Sequence, residues 1–176
     1  MNLTRLTYRP SDPWDWRLAR LRDWADIVNL TEINYTTDAE DIFTTNPTRL
    51  QYHVTQAIIK QIYNSRQLLL SVARRRLDDR LVAWTWLDRG KYTVYADEEM
   101  AEPQMLHVDL TLPAATRMRL TYQILEQWIG WCALQHIPVL FSNTVRKDSG
   151  AFMRLHESLG FEIYGSIAYK RILGEV

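Results

Sequence analysis

Residues 105–135, MLHVDLTLPAATRMRLTYQILEQWIGWCALQ, place a strand pattern directly before a helix pattern. Apolar and polar residues alternate as far as Leu112, which is the period of a half-buried strand, and Pro113 ends the pattern. From Ala114 to Gln135 apolar residues recur at helical spacing around much of the circumference, so we expect a long and largely buried central helix. One face of the strand carries Leu106, Val108, Leu110 and Leu112, and the other carries His107, Asp109 and Thr111.

Downstream of this unit the sequence predicts one further strand, one helix and a final strand pair. The apolar run Pro138–Thr144 is typical of a strand. Asp148 or Ser149 can cap a short helix that Gly160 ends. The final strand pair is expected within Phe161–Leu173.

Upstream, the pattern predicts a strand, two helices and a hairpin with its turn at Asp78-Asp79. Residues Tyr92–Tyr95 are expected to prolong the sheet. The resulting order is β-α-α-β-β-β-α-β-α-β without repeats or linkers, so residues 1–176 are expected to form one α+β domain. The upstream elements are predicted at Leu3–Tyr8, Trp14–Asn34, Pro47–Asn64, Leu68–Ala73 and Leu81–Leu87.

Composition excludes several classes of protein. Lys plus Arg and Asp plus Glu both number 21, so no net charge favours nucleic acid or anionic lipid as a partner. The single Cys132 cannot form an internal disulfide, and His53 and His136 lack neighbours at ligand spacing, so we expect no metal site. The N-terminal MNLTRLTYRPSDPW lacks the apolar core of a signal peptide, and no apolar run reaches membrane-spanning length. We therefore expect a cytoplasmic protein that does not enter a membrane.

The segment Ser149–Phe161, SGAFMRLHESLGF, resembles the closing helix of the GNAT (Gcn5-related N-acetyltransferase) superfamily, usually Asn-x-x-Ala-x-x-Leu-Tyr-x-x-x-Gly-Phe. The predicted element order is similar to that of the same superfamily along nearly the whole chain. The resemblance implies a single GNAT-like domain with a mixed, mostly antiparallel sheet flanked by helices. It also implies transfer of an acyl group from acetyl-CoA or another acyl-CoA to an amine.

The resemblance implies a pyrophosphate loop at the start of the central helix, where unpaired N–H groups and the helix dipole favour an anion. The family has Gln or Arg, then Gly, then Gly or Ala there, and this chain has Thr116, Arg119 and Thr121, so the loop is degenerate. Arg117 and Arg119 can bind phosphate through their side chains; alternatively, these side chains are solvated or pair with a carboxylate. The implied cofactor-binding residues are Leu110, Leu112, Thr116, Arg117, Met118, Arg119, Leu120, Thr121 and Ser149.

The resemblance also implies a proton donor and a proton acceptor. His156 stands where the family often has a Tyr on the closing helix that serves as the general acid. The ordinary pKa of a histidine suits general acid–base catalysis. A base is expected on the fourth strand, where His107 and Asp109 share a face. The alternatives are a capping or solvated His156 and ordinary strand alternation for the other two.

Two functions remain open at this point. The first is an N-acyltransferase that acts on a small-molecule or peptide amine. The second is a catalytically silent GNAT-like structural or interaction protein without a cofactor, whose partners are other protein chains. The sequence of this chain is similar in style to phage-encoded members of the superfamily, and this resemblance implies a phage virion as the alternative location.

Overall fold

The computed structural model describes residues 10–38, 44–144 and 150–164. In these ranges a five-stranded sheet is covered by four α-helices. No helix in them is both long and apolar enough to cross a membrane. The strands are β1 (Trp14–Leu18), β2 (Leu68–Arg75), β3 (Leu81–Lys91), β4 (Met100–Val108) and β5 (Val139–Leu140). The helices are α1 (Trp24–Asp38), α2 (Pro47–Tyr63), α3 (Ala114–Gln135) and α4 (Gly150–Ser158), and a 3₁₀ turn at Leu21–Asp23 precedes α1.

The sheet is mixed and mostly antiparallel, with the strands in sequence order. Neighbouring strands from β1 to β4 are antiparallel, whereas β4 and β5 are parallel. The β4–β5 pairing joins Met100 to Val139 and Ala101 to Leu140. From Glu102 to Val108, β4 pairs among the described residues with β3 alone. The edge of β4 that leads toward α3 is therefore open in the part of the chain that the structure describes.

Two apolar cores lie on the two faces of the sheet. Helix α3 packs on one face, where Leu120, Ile124 and Trp128 are buried and the Trp128 indole donates to Thr85 Oγ1 at 2.9 Å. Helices α1 and α2 cover the other face around the fully buried Trp84. Burial of a face by each helix accounts for the layered α+β architecture.

Several sequence predictions are confirmed. Helix α3 has the predicted bounds, and α2 begins after Asn46, whose side chain accepts from Arg49 N at 2.9 Å. Strands β2 and β3 form the predicted hairpin, although both extend beyond the predicted ends. These elements depend on local caps, turns and periodicity.

The prediction of a helix over Trp14–Asn34 is wrong in its first part. Trp14–Leu18 is strand β1, which pairs antiparallel with β2. Its two tryptophans are buried and donate through Nε1 to Gln123 Oε1 on α3, at 2.9 and 2.8 Å. The hydrogen bonds to this distant partner favour a strand here more than the helical spacing of the following leucines favours a helix.

The predicted fourth strand is shifted. It spans Met100–Val108 rather than Met105–Leu112, and its pairing with β3 has an irregularity between the partners Met105 and Pro103. Proline is tolerated in a strand at such a bulge. The strand ends because Asp109 Oδ1 accepts from Thr111 N at 2.9 Å, which forms a turn.

Three further predictions concern the ends of the sheet. Tyr92–Tyr95 forms no strand, and the strand predicted over Pro138–Thr144 is only the two residues of β5. The strand predicted at Leu3–Tyr8 lies outside the described residues, as does most of the pair predicted within Phe161–Leu173.

Candidate functional site

The first turn of α3 presents unpaired backbone donors beside the open end of β4. Pro113 caps the helix and has neither a side-chain oxygen nor an N–H to offer, and the first intrahelical bond runs from Arg117 N to Pro113 O at 3.0 Å. The N–H groups of Ala114, Ala115 and Thr116 have no acceptor among the described residues. Together with the helix dipole, they form an electropositive surface of small residues.

The positions that match the family's glycines lie inside α3 rather than in a loop before it. Arg119 and Thr121 are helical, so their N–H groups are taken by carbonyls one turn earlier. Thr121 Oγ1 also donates to Arg117 O at 2.9 Å. A phosphate therefore cannot use these two N–H groups, and any anion site must lie at the first turn.

Arg119 already has a protein partner. Its guanidinium forms an ion pair with Asp12, a carboxylate that is 2% exposed, and lies 5.7 Å from the ring centroid of Trp14. Gln123 Nε2 donates to the same carboxylate at 2.6 Å, so α3 is held against the residues that lead into β1. The carboxylate-pairing alternative is the arrangement observed for Arg119.

Arg117 has the opposite environment. Its side chain is partly buried, its Nε atom is shielded from solvent, and no described residue accepts a hydrogen bond from it. Arg117 directly follows the three N–H groups in the chain, and a guanidinium with donors that no described residue uses suits a phosphate or pyrophosphate group. The described residues therefore fit the phosphates of acyl-CoA through the first turn and Arg117, and they do not fit a glycine-lined cradle.

The remaining predicted cofactor residues divide by burial. Leu120 is fully buried in the core beneath α3, and Leu112 packs against the same core. Leu110 lies partly buried in the turn after β4, and Met118 is exposed. Ser149 lies outside the described residues.

The structure does not place the two predicted bases on one strand face. His107 is in β4, opposite Trp84, and stacks on that indole with ring centroids 5.5 Å apart. Asp109 lies beyond the end of the strand, buried, with its carboxylate on Arg80 Nη2 at 2.5 Å. Since β4 ends at Val108, the expectation of a shared face was wrong. His107 is the more accessible of the two groups.

His156 is buried and both of its ring nitrogens are engaged. A carbonyl can only accept, so Nδ1 donates to Phe152 O at 2.8 Å and Nε2 accepts from Ser142 Oγ at 2.9 Å. Burial lowers its pKa, a change that the contact with the Phe152 carbonyl partly opposes. The ring thereby joins α4 to the segment after β5. Its general-acid role stays a prediction.

A cavity of about 460 Å³ lies between α1, α2 and the middle of β4. Its lining includes Glu32 and Tyr35 of α1, Trp86 of β3, and Gln104 and Met105 of β4. A volume of this size is typical of a small-molecule site. Sequence reasoning missed these residues because their approach depends on how the helices pack on the sheet. No group of three potential metal ligands occurs in the described parts of the chain.

The comparisons with known proteins support the fold. No family model and no curated protein matches the sequence. Among solved structures, a possible acetyltransferase from Clostridium difficile matches with a TM-score of 0.64 at 14% identity, over 93% of this chain and 100% of that one.

Two further solved structures carry more specific names. An aminoglycoside antibiotic 6'-N-acetyltransferase from Acinetobacter baumannii matches with a TM-score of 0.63 at 14% identity, over 92% and 99% of the two chains. Glucosamine-6-phosphate N-acetyltransferase from Arabidopsis thaliana matches with a TM-score of 0.65 at 9% identity, also over 92% and 99%. At these identities the likeness establishes the architecture, and this chain has the fold of the GNAT superfamily.

Proposed function

We propose that this protein is an N-acyltransferase that moves an acetyl or other acyl group from acyl-CoA to an amine. The observation that carries the proposal is the unpaired first turn of α3 with the unpartnered Arg117, placed beside the open edge of β4. The structural likeness to N-acetyltransferases supports it.

In this proposal the N–H groups of Ala114, Ala115 and Thr116 and the guanidinium of Arg117 hold the phosphates. The backbone edge of β4 from Glu102 to Val108, which no described strand occupies, offers donors and acceptors to an extended chain laid along it. The thioester supplies the activated acyl group. The amine acceptor enters through the 460 Å³ cavity beside Met105.

The acceptor amine must lose a proton before it attacks, because an ammonium has no free electron pair. His107 is the proposed base, since Asp109 is held by Arg80 and His156 is enclosed. Asn34 Nδ2 lies 3.4 Å from His107 Nδ1, and the Trp84 indole stacks on the imidazole. These contacts orient the ring. An amide nitrogen only donates, so the ring hydrogen is on Nε2 in this arrangement, and the proton of the amine goes to Nδ1 in place of the Asn34 contact. Protonation of the leaving thiolate is assigned to solvent or, as the sequence predicts, to His156.

The test is calorimetric titration with acetyl-CoA, with desulfo-CoA as a second ligand, for wild type and the variants Arg117→Ala and Arg22→Ala. Arg22 is the matched control because it is exposed and its side chain has no hydrogen bond or ion pair with any described residue. We expect micromolar binding to wild type, unchanged for Arg22→Ala. A charge-assisted hydrogen bond contributes about 1.5–3 kcal/mol, so Arg117→Ala should weaken binding about 10- to 100-fold. Absence of binding up to about 1 mM would refute the proposal.

A second function has an observation of its own. Arg119 and Thr121 lie inside the helix where the family has glycines, and Arg119 is held by Asp12. A GNAT-fold protein that binds no CoA and acts through contacts with other protein chains would tolerate this arrangement. A phage virion remains a prediction for its location. The same titration separates the two functions, because this one requires that neither acetyl-CoA nor desulfo-CoA binds.

A further inference from the structure

A second cavity, of about 670 Å³, lies between the C-terminal half of α2 and the end of β3. Its helix side presents His53, Gln56, Lys60 and Asn64, which recur at helical spacing and form one polar face. Its sheet side presents Trp86, Asp88, Arg89 and Gly90 of β3. The volume fits a small molecule. The cavity adjoins the one beside β4, because His53 and other residues line both.

Asp88 is an acidic group at a position where the strand pattern calls for an apolar one. It follows Trp84 and Trp86 on the face of β3 that elsewhere forms the core with α1 and α2. Its carboxylate is partly buried and accepts from Trp86 Nε1 at 2.6 Å. No described cation lies within ion-pair distance of it, so the indole orients a carboxylate that has no counter-ion among the described residues.

Two other charged groups of the cavity wall, Arg89 and Glu99, are paired with each other. Arg89 binds Glu99 through two contacts of 2.6 Å, and Gly90 N donates to Glu99 Oε1 at 2.9 Å. The Glu99 carboxylate is therefore already bound within the cavity wall and is not available to a ligand. Asp88 is the carboxylate in this cavity that is left to receive a ligand's cation.

The rim carries two cations without acidic partners. Lys60 and Arg66 are exposed, line the cavity, and have no carboxylate within ion-pair distance among the described residues. Lys60 is near enough to Asp88 to lower its pKa, although burial raises that pKa overall. The cavity thus places a partly desolvated negative group at its floor and positive groups at its mouth.

We propose that this cavity binds a small molecule that carries both an ammonium group and an acidic group, with the ammonium on Asp88 and the acidic group at Lys60 and Arg66. The inference goes beyond the proposed function, because this cavity adjoins the one assigned to the amine acceptor and takes a ligand of its own. The amide side chains of Gln56, Asn64 and Gln104 add hydrogen-bonding groups along the wall.

The test measures binding without acyl-CoA, by calorimetry, using 4-aminobutyl phosphate, n-butylamine and n-butyl phosphate. The first probe carries both charged groups and each of the others carries one. We expect the wild type to bind 4-aminobutyl phosphate at about 1 mM or tighter, and about tenfold more tightly than either single-charge probe. Equal binding of the three probes, or no binding up to about 10 mM, would overturn the inference.

The variants locate the two ends of the ligand. Asp88→Asn keeps an oxygen for the Trp86 indole, and it should lower the affinity for 4-aminobutyl phosphate about tenfold while leaving n-butyl phosphate unchanged. The double variant Lys60→Ala/Arg66→Ala should weaken both phosphates. The control Asp97→Asn, at an exposed position without contacts, should change nothing. An Asp88→Asn protein that binds as wild type contradicts the assignment.

Binding of acetyl-CoA is then measured in a separate titration. Binding of the probe without acetyl-CoA binding would refute the proposed function and leave the cavity assignment standing. Binding of acetyl-CoA without the probe would refute the cavity assignment alone.

Discussion

Replacing Asp23 by Asn should destabilise the protein strongly and make its stability less sensitive to acid. Asp23 is fully buried in the 3₁₀ turn before α1. Its carboxylate accepts from Arg17 of β1 at 2.6 and 2.7 Å, from Arg74 of β2 at 2.7 Å, and from Arg20 N at 2.7 Å. This one group therefore holds the start of α1 to two strands.

The magnitude follows from its pKa. Burial by itself would raise the pKa of Asp23, but hydrogen bonds from Arg17 and Arg20 N and the charges of Arg17 and Arg74 outweigh burial and hold it at about 2, against an ordinary 3.8. At about 1.4 kcal/mol per pKa unit, this corresponds to about 2 kcal/mol at neutral pH. The Asn variant also leaves Arg17 without its counter-ion, whereas Arg74 keeps Asp26, so we expect a total loss of about 3 kcal/mol.

The sign of the pH dependence is fixed by the lowered pKa. The contribution is complete above the ordinary pKa and is lost as the pH falls toward 2, with about 1 kcal/mol gone at about pH 3. Urea unfolding of wild type and Asp23→Asn, followed by circular dichroism between about pH 7 and 3, measures this. The gap between the two proteins should narrow as the pH falls, whereas exposed Asp97→Asn should track wild type throughout. A gap that stays constant with pH would refute the electrostatic reasoning.

Three further predictions concern the site and its neighbourhood. Arg119→Ala should lower the free energy of unfolding in urea by about 1–2 kcal/mol, because it leaves buried Asp12 without its cation. Calorimetry should show an unchanged affinity for acetyl-CoA. A large loss of that affinity would contradict the site at the first turn of α3. His156→Ala should cost about 3 kcal/mol through lost packing and hydrogen bonds. Since burial lowers the pKa of His156, the stability of the wild type should fall as the pH drops through about 6.5, and His156→Ala should lack this pH-dependent loss. A His156→Ala protein that is as stable as the wild type but has lost acyl transfer would instead identify His156 as a catalytic acid. Burial raises the pKa of Cys132 to about 11, so iodoacetamide should label it only in urea, and rapid labelling of the folded protein at about pH 8 would refute its burial.

The sequence was informative where short-range chemistry decides the structure. Pro113 and the apolar period after it predict both ends of α3, and Asn46 followed by Pro47 predicts the start of α2. It was misleading at Trp14–Leu18, where the residues that make the segment a strand are supplied by β2 and Gln123. A strand at a sheet edge depends on its partner and cannot be recognised from its own five residues.

The same division applies to the candidate site. The closing-helix motif and the element order predicted the superfamily fold, and the absence of glycine between Ala114 and Thr121 was visible in the sequence.

Which arginine is available to a ligand was decided by the tertiary structure alone. Arg117 and Arg119 are two residues apart on α3. Asp12, more than a hundred residues earlier in the chain, forms an ion pair with Arg119, whereas Arg117 has no partner among the residues that the structure describes. In the sequence Asp88 is likewise an ordinary strand residue, and only the packing of α2 places it in a cavity. Pattern and capping act over a few residues and can be read along the chain, whereas ion pairing and desolvation depend on distances through space that only the folded chain sets.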